Sequence, residues 1–273
     1  MNANHPIFCA PPSWAVMWLT GVGLFLAGKA AVRRRIQERS HSVWPRWKTA
    51  AWYLLWPGMN VGDFTISTRT VSPAPSSAVL RLSTGAILLW GLARHFNHPL
   101  AAGWCGMIGL ILMMHFGAFD LLAAFWQSIG LRALPIMNRP AAALSLTDFW
   151  GHRWNRAFRD LAHPFVFAPA ARRCGAAAAL WLSFGISGLV HELMISVPAR
   201  AGYGLPTAYF LVQALGMTLE RRILGNSDPH AEQRVRRWFF THAFTVLPAF
   251  ILFHPPFVRH VMVPFFQAIG ALP

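Results

Sequence analysis

The feature that most constrains this chain is a series of long apolar runs, each about long enough to cross a lipid bilayer as an α-helix. Such a crossing needs roughly 20 mostly apolar residues. The runs cover residues 13–32, 79–95, 99–128, 174–197, 205–219 and 238–253. We therefore predict an all-α, polytopic integral membrane protein with about six transmembrane helices, organised as a single membrane-embedded domain over residues 1–273.

The charged residues are few, and their distribution is typical of a membrane protein. Only 12% of the 273 residues are charged, against about 25% in an average soluble domain. The net charge of +15 alone would suit a nucleic-acid partner, but 19 of the 24 Lys and Arg residues lie in three short blocks between apolar runs. Such blocks mark the cytoplasmic side. We predict no nucleic-acid partner, contact with the lipid bilayer, cytoplasmic arginine-rich loops at 33–48, 132–173 and 220–237, and an N-terminus outside.

Two further segments predict helices at the membrane surface. Segment 44–60 contains four tryptophans, and aromatic side chains at this density favour the headgroup region. We predict an interfacial helix there, with a re-entrant hairpin or a true span as the alternatives. Residues 147–161 follow a capping signal that begins at Ser145, and their apolar side chains recur on one helical face. They predict an amphipathic helix.

The run 174–197 carries a histidine and a glutamate near its end. An acidic side chain at the centre of a membrane helix costs about 2.5–3.5 kcal/mol, so the His191-Glu192 pair indicates a function. Ser187 and Gly188 lie one turn before His191 on the same face. Gly188 leaves space beside the imidazole, and Ser187 can steady it or a substrate. Glu192 points elsewhere, and a partner on another helix is favoured over a role as the base.

The remaining polar residues in the apolar runs give weaker signals. His115 and Asp120 lie at membrane depth but five residues apart, so they do not share a face. We interpret them as a packing or helix-to-helix hydrogen-bonding pair. Cys9, Cys105 and Cys174 have no metal-binding or redox spacing. We predict no metal site and no tightly bound cofactor.

Four stretches carry a resemblance to a known family, and they occur in the same order as in that family. They are Trp56-Pro-Gly-Met59, His115-Phe-Gly117, the run from Pro140 through Leu-Ser-Leu-Thr-Asp-Phe-Trp-Gly-His-Arg-Trp to Asn155, and Ser187-Gly-Leu-Val-His-Glu192. Together they resemble the wax-synthase-like branch of the membrane-bound O-acyltransferase (MBOAT) family. The matches extend over about half of the chain.

The resemblance implies a function and a set of site residues. It implies transfer of an acyl group from acyl-CoA, as co-substrate, to a hydroxyl of an apolar acceptor, either a long-chain alcohol or another lipid or small-molecule alcohol. It also implies catalytic roles for His191 and Asn155. The substrate-binding candidates around them are Trp150, Arg153, Trp154, Arg156, Arg159, Ser187 and Gly188.

The residue types suit this chemistry, and other interpretations stay open. A histidine can take the proton of a hydroxyl, an asparagine amide can donate to an oxyanion, and arginines bind phosphates. Alternatively, the arginines only contact lipid headgroups, Asn155 only makes a local hydrogen bond, or Ser187 and His191 form a dyad. At the level of the whole protein, the rivals are a transporter with a path through His191, Glu192, His115 and Asp120, and a non-catalytic scaffold.

Overall fold

The computed structural model describes residues 10–38, 44–66, 74–223 and 231–273, and this part of the chain is helical. The one strand-type pairing within it is an isolated bridge between Ile66 and Leu131. The α-helices in chain order are α1 (Ser13–Gln37), α2 (Arg46–Leu54), α3 (Pro75–Ala86), α4 (Pro99–Ile111), α5 (Phe119–Ser128), α6 (Leu146–Asp148), α7 (Arg156–Ala162), α8 (Ala168–Met194), α9 (Ser196–Ala199), α10 (Leu205–Ile223), α11 (Ala231–Val246), α12 (Ala249–Leu252), α13 (Pro255–Phe257) and α14 (Val263–Ala268). The prediction of an all-α fold is confirmed.

Stretches of π-helix continue several of these elements, and short 3₁₀ turns lie at Val61–Phe64, Ala93–His95 and Pro140–Ala142. In a π-helix each hydrogen bond reaches one residue further than in an α-helix. The π-helical stretches are Ile87–Leu92, Leu112–Ala118, Phe149–Arg153, His163–Phe167 and Val258–Met262. Leu112–Ala118 joins α4 and α5 into one continuous helix of 30 residues.

The number of candidate membrane spans is lower than we predicted. Four helices are long and apolar enough to cross a membrane: Ser13–Gln37, Pro75–His95, Pro99–Ser128 and Arg156–Ala199. A fifth results if Gln233–Leu252 and Pro255–Ala268, which meet at 60°, count as one span. The described residues thus give four or five spans, and six are not confirmed. The predicted run 205–219 does form α10, but this helix continues through the charged residues 220–222.

The longest helical segment, Arg156–Ala199, reverses direction at Gly175. A straight α-helix would separate residues 158 and 191 by roughly 50 Å, whereas the ring centres of Phe158 and His191 lie 6.4 Å apart. Gly175 lies midway between them in the sequence and has φ 82° and ψ 164°, a conformation that is essentially restricted to glycine. The segment is therefore a helical hairpin. We call residues 156–174 its leading arm and residues 176–199 its returning arm.

The first helix packs against both arms of this hairpin. The side chain of Leu161, in the leading arm, lies against α1 at Gly28, and that of Met194, in the returning arm, lies against α1 at Gly21. Further along α1, the guanidinium of Arg35 donates to the backbone carbonyl of Pro164 at 2.6 Å. These contacts hold the two arms at a fixed depth relative to each other.

Lys29 joins α1 to the tryptophan-rich segment that follows it. Its side chain is fully buried, and its ammonium donates to the backbone carbonyls of Trp52, Trp56 and Gly58 at 2.6, 2.8 and 2.7 Å. A buried charge is tolerated when hydrogen bonds satisfy it, so Lys29 fixes α2 against α1. With nine residues, α2 is about 14 Å long. It is too short to span a bilayer, as expected for an interfacial helix.

Replacing Gly175 by alanine should destabilise the hairpin. No atom lies within 4 Å of the position that the new Cβ would occupy, so the effect arises from the backbone alone. Forcing an L-residue into such a conformation costs about 1–3 kcal/mol. We expect a lower melting temperature for the purified variant in detergent, measured against the wild-type protein.

Gly185→Ala is the matched control for this substitution. Gly185 lies in α8 as well, and a Cβ added there would likewise have no atom within 4 Å, but its backbone is helical. Alanine is favoured over glycine in a helix by about 1 kcal/mol, so this variant should melt at or above the wild-type temperature. Equal melting temperatures for the two variants would contradict the role assigned to Gly175.

Candidate active site

His191 lies in the returning arm with one ring nitrogen engaged. Its Nδ1 is 2.7 Å from the carbonyl oxygen of Ser187, one turn earlier. Because a carbonyl only accepts, Nδ1 carries the proton of the neutral imidazole and donates it in this bond. Nε2 then keeps its lone pair. It is the atom with which a histidine acts as a general base.

Aromatic rings surround this imidazole. The ring centre of His191 lies 4.4 Å from that of Phe210 on α10 and 6.4 Å from that of Phe158 in the leading arm. Phe210 in turn contacts Phe184 and Trp150, with ring centres 6.3 and 5.8 Å away. His191 is therefore held in an apolar environment that limits the access of water.

Ser187 and Gly188 act differently from the way the sequence suggested. The hydroxyl of Ser187 donates to the carbonyl of Ser183 at 2.8 Å, so Ser187 holds His191 through its backbone, and the described contacts contain no hydroxyl–imidazole dyad. At Gly188 a Cβ atom would lie 2.6 Å from Cα of Thr207. The space we expected beside the imidazole is taken by α10, because glycine allows α8 and α10 to approach closely.

Glu192 pairs with another helix, as the sequence favoured. Its Oε1 accepts hydrogen bonds from the backbone N–H of Gly204 at 2.9 Å, the backbone N–H of Thr207 at 3.1 Å and the hydroxyl of Thr207 at 3.0 Å. A carboxylate at this position satisfies the free N–H groups at the start of α10. Glu192 thus ties α10 to the returning arm beside His191.

Asn155 begins the leading arm. Its backbone is left-handed, with φ 40°, which asparagine tolerates better than most residues. Its side-chain oxygen accepts from the backbone N–H of Phe158 at 3.2 Å, so the local hydrogen bond that we considered as an alternative is present. This bond leaves the amide nitrogen Nδ2, with two N–H donors, uncommitted. Phe158 links Asn155 to His191, because its backbone N–H binds the side chain of Asn155 and its ring packs against the imidazole of His191.

The predicted amphipathic helix 147–161 is interrupted just before Asn155. The capping signal is confirmed, since the hydroxyl of Ser145 accepts from the backbone N–H of Asp148 at 2.9 Å. The helix turns π-helical at Phe149–Arg153, and a new helix begins only at Arg156. The break at Trp154 and Asn155 allows the leading arm to begin in a new direction.

Trp150 and Trp154 line the site on two sides. The indole N–H of Trp150 donates to the side-chain oxygen of Gln213 at 3.2 Å, which anchors this ring to α10 beside Phe210. The ring of Trp154 is nearly parallel to that of Phe149, at 5.6 Å and 11°, and to that of His115, at 6.4 Å and 12°. His115 therefore belongs to the surroundings of Asn155, and two of the four stretches that carry the family resemblance lie next to each other.

The three candidate arginines are each engaged within the chain. Arg153 pairs with Asp148 and donates to the carbonyl of Arg139 at 3.3 Å. Arg159 pairs with Asp160 and donates to the carbonyl of Gly151 at 3.0 Å. The side chains of Arg153 and Arg159 remain 25% and 35% exposed. A phosphate could therefore reach both guanidiniums, but it would share them with these acceptors.

Arg156 is directed inward. It donates to the carbonyl of Pro135 at 3.3 Å, and its charge acts on the carboxyl group of Asp63. Burial raises the pKa of Asp63 to about 6, while the indole N–H of Trp56 and the charge of Arg156 oppose that rise. Arg156 thus connects the leading arm to the segment that follows α2.

Asp120 makes the kind of helix-to-helix hydrogen bond that we interpreted from the sequence, and His115 packs against Trp154. Asp120 forms an ion pair with Arg81 of α3 at 2.6 Å, and Arg81 also donates to the hydroxyl of Ser77 and the carbonyl of Phe116, both at 3.0 Å. The partner lies 39 residues away in the sequence, so the spacing of His115 and Asp120 carried no information about it. In the part of the chain that the structure describes, no cluster of three His, Cys, Asp or Glu side chains could hold a metal ion.

Residues 133–212, which include both Asn155 and His191, match the Membrane bound O-acyl transferase family. Over this segment the chain is similar to that family. It is similar to the long-chain-alcohol O-fatty-acyltransferase of Simmondsia chinensis, with 30% identity over 149 residues that cover 49% of this chain and 41% of that protein. It is also similar to two Arabidopsis thaliana proteins named as probable long-chain-alcohol O-fatty-acyltransferases, number 3 (31% over 126 residues, 43% and 35% covered) and number 6 (27% over 199 residues, 64% and 54% covered).

These similarities cover only part of each protein. The chain spans about 41% of the length of the Simmondsia relative and at most 54% of the two Arabidopsis relatives. No solved structure matches the chain.

The cap at Asn155 makes a prediction for stability. Asn155→Ala removes the side-chain oxygen that binds the N–H of Phe158 and should destabilise the protein by about 1 kcal/mol, the usual effect of losing a helix N-cap. Asn155→Asp keeps an oxygen in the same place and should unfold like the wild-type protein. Chemical unfolding in detergent measures both, and a fully stable alanine variant would show that the cap contributes nothing.

Proposed function

We propose that this protein transfers an acyl group from acyl-CoA to the hydroxyl of an apolar acceptor such as a long-chain alcohol. The observation that carries the proposal is the arrangement of His191, whose Nδ1 is held by the carbonyl of Ser187 while Nε2 keeps its lone pair. The names of the relatives in Simmondsia and Arabidopsis support both the reaction and the class of acceptor.

The reaction uses His191 first as a base and then as an acid. The acceptor hydroxyl donates a hydrogen bond to Nε2, and His191 removes the proton as the oxygen attacks the thioester carbonyl carbon. The resulting tetrahedral intermediate bears a negative oxygen, to which Nδ2 of Asn155 donates. When the intermediate collapses, the carbon–sulfur bond breaks and His191 returns the proton to the sulfur. The products are the ester and free CoA.

The surroundings of His191 favour transfer over hydrolysis. The carbonyl of Ser187 fixes the ring orientation and accepts a stronger hydrogen bond while the imidazole is charged. The rings of Phe158, Phe210 and Trp150 limit the water that could compete with the alcohol for the thioester.

The donor approaches from the arginine-rich side of the protein. Arg153 and Arg159 keep part of their side chains exposed, so we assign them to the phosphates of CoA. Arg156, the third arginine of the set, is directed inward and contributes its charge from behind them. We place the N-terminus of α1 outside and the arginine-rich loops 33–48, 132–173 and 220–237 on the cytoplasmic side; positions 39–43 and 224–230 lie outside the described residues. Within 132–173, Arg153, Arg156 and Arg159 lie at the base of the hairpin, and Arg172 and Arg173 lie at its tip. The contact between Arg35 and Pro164 supports a common side for the first two loops.

A transport function receives less support from the same contacts. Of the four side chains that we considered for a proton path, Asp120 is bound by Arg81 and Glu192 is bound by the start of α10. Both carboxyl groups therefore have structural partners.

His191→Ala should abolish ester formation while leaving the protein folded. Loss of a general base lowers the rate by about 10²–10⁴-fold. The assay is ester formation from hexadecanoyl-CoA and hexadecanol by purified protein in proteoliposomes. His152→Ala is the control, because the His152 side chain is 66% exposed and has no part in the mechanism. Near-normal turnover by the His191 variant would refute the assignment.

Asn155→Asp, which keeps the helix cap and loses the N–H donors, should also form ester more slowly than the wild-type protein.

The arginine assignment predicts a change in donor affinity. Replacing Arg153, Arg156 and Arg159 by glutamine should raise the KM for acyl-CoA with little effect on the KM for the alcohol. Lysine at these positions should restore part of the loss, because it keeps the charge but not the bidentate geometry. The effect should shrink as salt is added, since salt screens exposed charges.

The matched control for the arginine set is Arg172→Gln with Arg173→Gln. Both residues are exposed at the tip of the hairpin, next to Gly175. An unchanged donor KM in the triple glutamine variant, normalised for folded protein, would move the CoA site elsewhere, and an equal rise in the control pair would show a general effect of charge.

A further inference from the structure

One buried polar group has no place in the proposed mechanism. His115 lies midway along the continuous helix Pro99–Ser128, and its Nδ1 is buried without a hydrogen-bond partner among the described residues. Folded proteins provide partners for nearly all buried polar atoms, because an unpaired one lowers stability. We therefore look for the hydrogen-bond partner of Nδ1 in a bound molecule.

The position of the ring points to the substrates. His115, Trp154 and Phe149 form a stack of three nearly parallel rings. Trp154 is covalently joined to Asn155, which we assign to the oxyanion. The imidazole of His115 is thus part of the wall of the candidate active site, although it belongs to a different helix from either Asn155 or His191.

The backbone at His115 is also unusual. The residue lies within the π-helical stretch Leu112–Ala118, where the wider turn interrupts the α-helical pattern. Such turns are frequent at functional sites. The edge of the ring is held by Phe119, 5.4 Å away, so that both the backbone and the neighbouring rings fix the direction of the imidazole.

We propose that Nδ1 of His115 hydrogen-bonds the hydroxyl of the acceptor alcohol and orients it for attack. This inference rests on the proposed acyl transfer and assigns a residue that recognises the acceptor. In the proposed reaction the hydroxyl donates its proton to Nε2 of His191, so its oxygen accepts a hydrogen bond from the Nδ1–H of His115. The thioester carbonyl is the other possible acceptor. The carbonyl already has a donor in Asn155. A long-chain alcohol has one polar atom, so in an apolar site it needs such a hydrogen-bond partner to hold its hydroxyl beside the thioester carbonyl.

The test is the substitution of His115 by phenylalanine, which keeps the stack on Trp154 and removes both nitrogens. We expect kcat/KM for hexadecanol to fall by about three- to tenfold, the value of one neutral hydrogen bond, with the KM for hexadecanoyl-CoA unchanged. His115→Asn, whose amide lies near the position of Nδ1, should restore part of the loss. A residue that only packed against Trp154 would tolerate phenylalanine, so unchanged kinetics in this variant overturn the inference.

His242→Phe is the matched control. His242 also stacks on a tryptophan, Trp238, at 4.3 Å, and it also has a buried nitrogen without a partner, Nε2. Its Nδ1, however, is bound by the carbonyl of Trp238, and it lies on α11. This variant should have wild-type kinetics, and a loss equal to that of His115→Phe would overturn the assignment by showing a general effect of removing a buried imidazole.

A binding measurement separates the remaining outcomes. Hexadecanol added without acyl-CoA should raise the melting temperature of the wild-type protein and of His115→Asn more than that of His115→Phe, and equal rises overturn the inference. A higher KM for hexadecanoyl-CoA in His115→Phe, with normal alcohol kinetics, assigns the nitrogen to the donor and also overturns it.

If the wild-type protein forms no ester, the proposed function itself fails. An active wild-type protein with an unaffected phenylalanine variant rejects only the role of His115.

Discussion

The candidate site depends on the reversal of the chain at Gly175. Without it, Asn155 and His191 would lie at opposite ends of a rod of more than about 50 Å. With it, the two arms run side by side, and Phe158 touches the imidazole. The reversal is held from outside the hairpin, because α1 contacts both arms and Glu192 ties α10 to the returning arm. The geometry of the site is thus a property of four packed helices and does not reside in either arm alone.

Within the apolar helices, polar side chains are mostly satisfied by their own backbone. Ser183, Ser187, Thr218, Thr241 and Thr245 each donate to a carbonyl one turn earlier. Such a local bond satisfies the hydroxyl without a partner on another helix. It therefore suits a medium without water, where every polar group must be satisfied within the protein. His191 uses the same bond for Nδ1, which leaves Nε2 as its reactive atom. The nitrogens that remain without such a bond at the site, on His191, Asn155 and His115, are the ones that a substrate would meet.

The sequence predicted the class of fold, because apolar runs of bilayer length have few other solutions. It also indicated that Glu192 would bind another helix. It did not predict the reversal, since Gly175 is one of 21 glycines and nothing next to it marks a positive φ. Nor did it predict the ion pair of Arg81 with Asp120, because a contact across 39 residues depends on how the helices pack. The catalytic roles of His191 and Asn155 stay predictions, to which the structure adds a shared neighbour in Phe158.

The proposed chemistry at position 155 suits asparagine. The backbone there has φ 40°, which asparagine, aspartate and glycine accept more readily than other residues. The start of α7 needs a side-chain oxygen to bind the N–H of Phe158, which excludes glycine. The oxyanion needs an N–H donor without a negative charge, which excludes aspartate, because a carboxylate would repel the developing charge. Asparagine meets all three conditions, since its amide has an acceptor on one side and donors on the other. The helix cap and the proposed oxyanion contact are therefore two uses of one amide, and the cap itself holds Nδ2 in place for the reaction.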